Sequence, residues 1–322
     1  MSIKECYGSV SIAVSAVVAT IALATDKIEI ENRDRTQLRL KMANLRQSNS
    51  KTNFQAIAKK LTRVLRISAT LLTSYYAYML EYRAELFLWA LSGSLPLILM
   101  GVWTQAAQSG QFGLSPIDFA RYFLTVFLIR QFTVVWVIWE FEKEVVEGRL
   151  SPRLLQPLDP VWHHVFAHVS ERFARLPFAI ALVGLFFFLY PQAFWIPSLG
   201  SSILFAIAVL LAFTLRFLIQ YTFALFAFWT ERANAIENFW FLFYLFFSGL
   251  IAPLETFPPI VREIVLWTPF PYLIHFPTSL IVGLPENVGR GFLITVGWCA
   301  LFFGLNRWLW RRGLKQYSGM GA

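Results

Sequence analysis

Residues Ser201–Trp229 read SSILFAIAVLLAFTLRFLIQYTFALFAFW. Only Arg216 carries a full charge at neutral pH in that stretch. A helix needs about 20 apolar residues to cross the hydrocarbon core of a bilayer, and this run exceeds that. Reading outward, five more stretches meet the same test: Leu86–Trp103, Tyr122–Trp139, Leu176–Ile196, Phe239–Leu254 and Phe292–Trp310. The fifth in chain order, Phe239–Leu254, is short and is expected to continue into irregular backbone. Trp103, Tyr122, Trp139, Trp195, Trp229, Trp240 and Trp310 sit near span ends, where amphipathic rings favour the headgroup level.

Composition excludes a soluble domain. Hydrophobic residues make up 57% and charged residues 15%, whereas about a quarter of an ordinary soluble domain is charged. With 32 Phe and 12 Trp among 322 residues, a water-soluble interior is too small to hide the rings. The net charge is +9, and thirteen of the 28 Lys and Arg precede Leu86. No nucleic-acid recognition motif accompanies this charge, so its natural partner is the anionic cytoplasmic leaflet. Cys6 and Cys299 offer no disulfide framework, and Cys299 falls in an apolar run as a small buried thiol.

Orientation follows from the loops. With residues before Leu86 inside, the loop 140–175 is also inside and carries Lys143, Arg149, Arg153, Arg172 and Arg175. The tail, with Arg307, Arg311, Arg312 and Lys315, is inside as well, while the outer loops keep only Arg121, Arg262 and Arg290. This is the positive-inside pattern, with both termini cytoplasmic. Residues near Ser318 and Arg149 are therefore expected inside, and Gln111 and Arg262 outside.

The N-terminal region divides in two. Residues 1–53 read as a poorly structured extension, within which Gly8–Thr25 is apolar. Three readings fit that segment: a seventh span, a targeting peptide, or sequence upstream of the true start, with Met42 as an alternative start. Residues 54–85 differ. Phe54, Ile57, Ala58, Leu61, Val64, Leu65, Ser68, Leu71 and Leu72 follow helical spacing opposite Lys59, Lys60, Arg63 and Arg66. That pattern predicts an amphipathic helix lying in the membrane interface, against the plainer alternative of a solvated linker. Residues 86–322 form the six-span domain.

Two segments break the apolar pattern. The inner loop runs Glu144-Val-Val-Glu-Gly-Arg-Leu-Ser-Pro-Arg-Leu-Leu-Gln-Pro-Leu-Asp-Pro160. Residues 140–147 are acidic and suited to a helix that Gly148 can close. Leu150, Leu154 and Leu155 are apolar residues on a charged loop, which fits anchors for a partner groove; the alternative is packing on this chain's own helices. The second segment runs Phe247-Ser-Gly-Leu-Ile-Ala-Pro-Leu-Glu-Thr-Phe-Pro-Pro259 and then Leu266-Trp-Thr-Pro-Phe-Pro-Tyr272. Gly249, Pro253, Pro258, Pro259, Pro269 and Pro271 interrupt it. Broken backbone at membrane depth must be buried in protein or line a watery cavity; the alternative is a surface loop.

The acidic patch, Gly-Arg-Leu and Leu-Leu-x-Pro-Leu of the inner loop resemble the cytoplasmic coupling loop of ABC type-2 exporter permeases. The second segment resembles the re-entrant helical turn between spans five and six of that family. The order of elements from Phe54 onward is similar too, most closely to uncharacterised and drug-export-like bacterial permeases. The resemblance implies an all-α polytopic fold of six transmembrane helices with an N-terminal interfacial helix. It implies a plasma-membrane permease that pairs with a second permease and couples to a separate ATPase through Glu144, Glu147, Gly148, Arg149, Leu150, Leu154, Leu155 and Pro157. The expected cargo is amphiphilic or hydrophobic.

No Gly is followed by Lys, so this chain holds no Walker-type phosphate loop. It is read as a non-enzyme without cofactor, with ATP and Mg²⁺ expected on the partner. His164 and His168 share a helical face with Glu171, which could hold a metal; packing under the inner leaflet is the commoner use. Arg130 and Arg216 lie within spans, where an unpaired charge costs about 2.5–3.5 kcal/mol. Glu140, Gln131, Gln220, Glu237 and backbone carbonyls are their expected partners. Two rivals remain: a membrane lipid-modifying enzyme, and a secondary transporter, although the latter usually breaks helices in both halves.

Overall fold

A computed structural model describes residues 50–110, 113–284 and 287–317. The extension up to residue 49, with Gly8–Thr25 and Cys6, lies outside the described residues, as do Gln111 and Ser318. Every regular element among the described residues is helical. The chain divides into two compact units. One holds the N-terminal helix with Val165–Glu171, and the other holds Tyr82–His164 with Arg172 onward.

The first unit is built on α1, Ser50–Glu81. It starts slightly before the expected Phe54 and ends before Glu85. The side chains of Phe54, Ile57 and Ala58 lie outside the described set. Among its positions with described side chains, Ser68, Leu72 and Met79 are buried, while Lys59, Lys60, Arg63 and Arg66 are exposed. Ser170 donates its hydroxyl to the Leu72 carbonyl at 3.1 Å, within the same unit.

The second unit holds α2 (Arg83–Ser92), α3 (Leu95–Ala106), α4 (Pro116–Thr133), α5 (Val137–Val146), α6 (Leu150–Leu154), most of α7 (Val161–Leu189), α8 (Leu199–Ala224), α9 (Asn234–Phe247), α10 (Pro259–Val265), α11 (His275–Val282) and α12 (Val288–Gln316). Among the described residues, four helical stretches are long and apolar enough to cross a membrane: Pro116–Val146, Val161–Leu189, Leu199–Phe228 and Val288–Gln316. They cover the second, third, fourth and sixth expected spans. The first expected span is divided between α2 and α3 at Gly93–Ser94, with Pro96 in the first turn of the new helix. The fifth is α9, whose 14 residues end at Phe247.

Local chemistry explains the ends. Ser115 opens α4 with a capping box, its hydroxyl accepting from the Asp118 N–H while the Asp118 carboxylate accepts from the Ser115 N–H. Asn287 accepts from the Arg290 N–H to open α12. The core gathers α4, α8 and α11 with the flanking faces of α3, α9 and α12; Phe119, Tyr122, Phe123, Ile129, Leu215 and Ile219 are fully buried there.

Candidate functional site

The loop 140–160 is a braced projection. α5 buries Val137, Ile138, Phe141 and Val145 and turns Lys143 outward. It ends where Gly148 takes a left-handed φ of 71°, with its N–H on the Val145 carbonyl. α6 follows. Arg153 on α6 pairs with the buried Glu144 of α5 at 2.8 Å. The buried His164 ring lies between two carboxylates, with Nδ1 3.4 Å from Glu140 and Nε2 3.4 Å from Glu144. The Arg153 guanidinium is also 3.4 Å from His164 Nε2. Farther along, Asp159 pairs with Arg307 of α12 at 2.8 Å, and Ser151 meets the Tyr317 hydroxyl at 3.0 Å. The Glu142 carboxylate accepts from the Asn234 N–H at 2.7 Å, placing negative charge at the start of α9.

These braces leave a narrow face open. Leu155 is 88% exposed, Pro157 is exposed, and Arg149 is an exposed partner of Glu147 at 2.7 Å. Leu150 differs from the expectation, being fully buried. Leu150 and Leu154 are four apart and share one face of α6. That face is turned to the protein, so Leu154 is half-buried and Leu155 alone is fully presented. Glu144 likewise serves within the chain rather than at its surface.

Within the apolar region the Arg216 guanidinium on α8 meets the Glu237 carboxylate on α9 at 3.0 Å and lies 4.2 Å from the centre of the Tyr244 ring. The Gln220 amide donates to the same Glu237 oxygen at 2.7 Å. All three polar side chains are buried, which satisfies the low-dielectric requirement that a charge be paired. One atom of each still lacks a hydrogen bond: Arg216 Nη1, Gln220 Oε1 and Glu237 Oε2. Arg130 is half-buried, and its Nε has no hydrogen-bond partner.

The expected second span is not one continuous helix. Between α4 and α5, residues 134–136 leave helical geometry. The run Thr133-Val-Val-Trp-Val-Ile138 is almost wholly β-branched, and crowding at Cβ disfavours helix there. The break frees carbonyls from the helical hydrogen-bond ladder. Arg172, buried on α7, donates its Nε to the Phe132 carbonyl at 2.6 Å and its Nη2 to the Val134 carbonyl. Its guanidinium also lies 4.3 Å from the centre of the Phe213 ring. Sequence reading placed Arg172 among the loop cations and missed this role; the β-branched run was the available signal that carbonyls would need a donor.

The broken segment after α9 is held by side chains. Gly249 has a φ of 88°, and a Cβ there would come within 2.4 Å of the Tyr122 hydroxyl and 2.9 Å of His275 Cβ. The Tyr122 hydroxyl donates to the Gly249 carbonyl at 2.9 Å, the Trp103 indole to the Ile251 carbonyl at 2.8 Å, and the His275 N–H to the Ser248 carbonyl at 2.9 Å. His275 Nδ1 is 3.3 Å from the Tyr122 hydroxyl, and its Nε2 is 3.6 Å from Glu255, which Arg262 approaches at 3.5 Å. Pro253, Pro269 and Pro271 are buried, whereas Pro258 and Pro259 are exposed and open α10. Residues 269–280 are buried without interruption. A cavity of about 120 Å³ is lined by Tyr272, His275, Phe276, Asn287 and Arg290 among others.

His164 is engaged with Glu140, Glu144 and Arg153, and no group of three or more His, Cys, Asp or Glu able to hold a metal ion occurs among the described residues. A comparison with curated proteins finds no match. A family model described as "ABC-2 family transporter protein" matches residues 97–321, well over half of the chain.

Proposed function

The chain belongs to the ABC-2 family of transporter proteins, and from that premise we propose that it is the membrane subunit of an ATP-driven exporter whose ATPase docks on the inner loop. Permeases of this family are generally non-enzymatic and work with an ABC ATPase. The observation that carries the docking site is Leu155. It stands 88% exposed beyond α6, on a loop braced by Arg153–Glu144 and Asp159–Arg307. An exposed apolar anchor with a rigid base suits a partner groove, because little conformational entropy is lost on docking.

The full reading is of six crossings. α2 with α3 forms the first and α9 the fifth, and the buried segment 269–280 returns toward the last span as a re-entrant turn. Both termini are cytoplasmic, the membrane is the plasma membrane, and two permeases line the path for an amphiphilic cargo. ATP-driven closure of the ATPases moves the inner loops, and Arg153, Glu144 and His164 carry that movement into α5 and α7.

The test is recovery of the ATPase from a mild detergent extract. Truncating an interface anchor costs about 2 kcal/mol, roughly thirtyfold in affinity. Leu155→Ala is expected to release the ATPase while leaving the permease folded; adding Leu154→Ala deepens the loss. Arg149→Ala removes a rim charge and alters mainly salt dependence. Full ATPase recovery with the Leu154→Ala/Leu155→Ala pair would remove this loop as the docking site.

A further inference from the structure

The N-terminal helix carries a cationic groove that the transport reading does not use. α1 has no acidic residue before Glu81. Lys59, Arg63 and Arg66 are exposed and, with Thr62 and Ile67, line an open groove of about 650 Å³. At 100° per residue, positions 59, 63 and 66 fall within one narrow stripe, and the rise of about 1.5 Å per residue spreads them along about 10 Å of the helix. No ion pair to an acidic side chain forms at Lys59, Arg63 or Arg66 among the described residues. The partly buried, apolar Ile67 adjoins this stripe and lines the same groove.

Three cations in a row without internal counter-ions call for an anion that is elongated rather than a point. The apolar Ile67 beside the stripe calls for one with an attached hydrocarbon. A soluble pyrophosphate meets only the first requirement. We propose that this groove is a binding site for an anionic phospholipid of the cytoplasmic leaflet, one whose headgroup carries two phosphates. One phosphate sits between Lys59 and Arg63 and the other reaches Arg66, with the acyl chains leaving past Ile67. The inference rests on the membrane location of the chain and not on the docking of an ATPase.

The test is native mass spectrometry of the purified full chain with added lipid. Wild type is expected to retain one cardiolipin per chain, to hold phosphatidylglycerol more weakly, and to hold no phosphatidylcholine at this site. Each cation near an anionic surface contributes about fivefold in affinity, so Lys59→Ala/Arg63→Ala/Arg66→Ala is expected to weaken cardiolipin binding about a hundredfold. The substituted side chains are exposed, and the helical circular dichroism of the variant is expected to equal that of wild type. Arg311→Ala/Arg312→Ala, which removes exposed charge elsewhere, is expected to leave the lipid in place. Equal cardiolipin retention by the triple variant would overturn the site. Equal retention of phosphatidylcholine would overturn the anionic requirement. Displacement of cardiolipin by an equal concentration of pyrophosphate would overturn the lipid assignment in favour of a soluble anion.

Discussion

Arg216 shows how one residue's worth depends on its neighbours. Its charge is matched by Glu237, and Gln220 completes the same carboxylate oxygen. Removing one partner of such a pair strands the other, at about 3–5 kcal/mol. Arg216→Leu is therefore expected to lower the thermal midpoint in detergent and to impair export. Arg232→Leu, at an exposed position, should stay within about 0.5 kcal/mol. Arg216→Leu combined with Glu237→Leu should recover most of the folded yield, because neither charge is then stranded. If the double variant melts as low as the single one, the pair is not the source of the penalty. Glu237 was among several partners compatible with the sequence; twenty-one positions separate it from Arg216, so only the packing of α9 on α8 selects it.

At the scale of elements, two breaks organise the molecule, one between α4 and α5 and one after α9. The first, between α4 and α5, is favoured locally by β-branched residues and tolerated because Arg172 supplies donors. Arg172→Met keeps length and apolar bulk but removes those donors. An orphaned buried carbonyl costs about 1–3 kcal/mol, so this variant is expected to lose about that much for each of the two carbonyls. Hydrogen exchange at residues 133–138 would register it as faster opening, and unchanged protection there would show that another group serves the carbonyls. Close helix contact gives a second check. A Cβ at position 291 would come within 2.1 Å of the Phe276 ring, whereas at position 297 it meets nothing within 4 Å. Gly291→Ala should destabilise by about 1–3 kcal/mol through overpacking. Gly297→Ala should be neutral or gain up to about 1 kcal/mol in helix propensity. Comparable melting of the two variants would contradict the tight approach of α12 to α11.

For the whole molecule the decisive measurement is topology. In a background lacking Cys6 and Cys299, Arg149→Cys is expected to resist a membrane-impermeant maleimide in intact cells, and Arg262→Cys to react. External labelling at 149 would invert the map and remove the inner loop from the ATPase side. The long apolar helices were legible in the sequence, since apolar length is set by the price of hydrocarbon. The long helices Leu199–Phe228 and Val288–Gln316 follow from composition alone, as does the helix-closing role of Gly148.

What the sequence by itself determined was therefore the apolar character of the protein, the order of its long helices and the stop after α9, but not the breaks inside the first and second expected spans. These depend on each residue's own preference for lipid, water or backbone geometry, and such preferences add along the chain. The tertiary structure alone decided which side chains repair the breaks and which face of α6 is left open. It placed Leu150 inside and Leu155 outside, paired Glu144 with Arg153, and brought Arg172 and Tyr122 to distant carbonyls. Such pairings depend on three-dimensional proximity between residues far apart in the chain, and a local pattern of hydrophobicity and charge carries no record of that proximity.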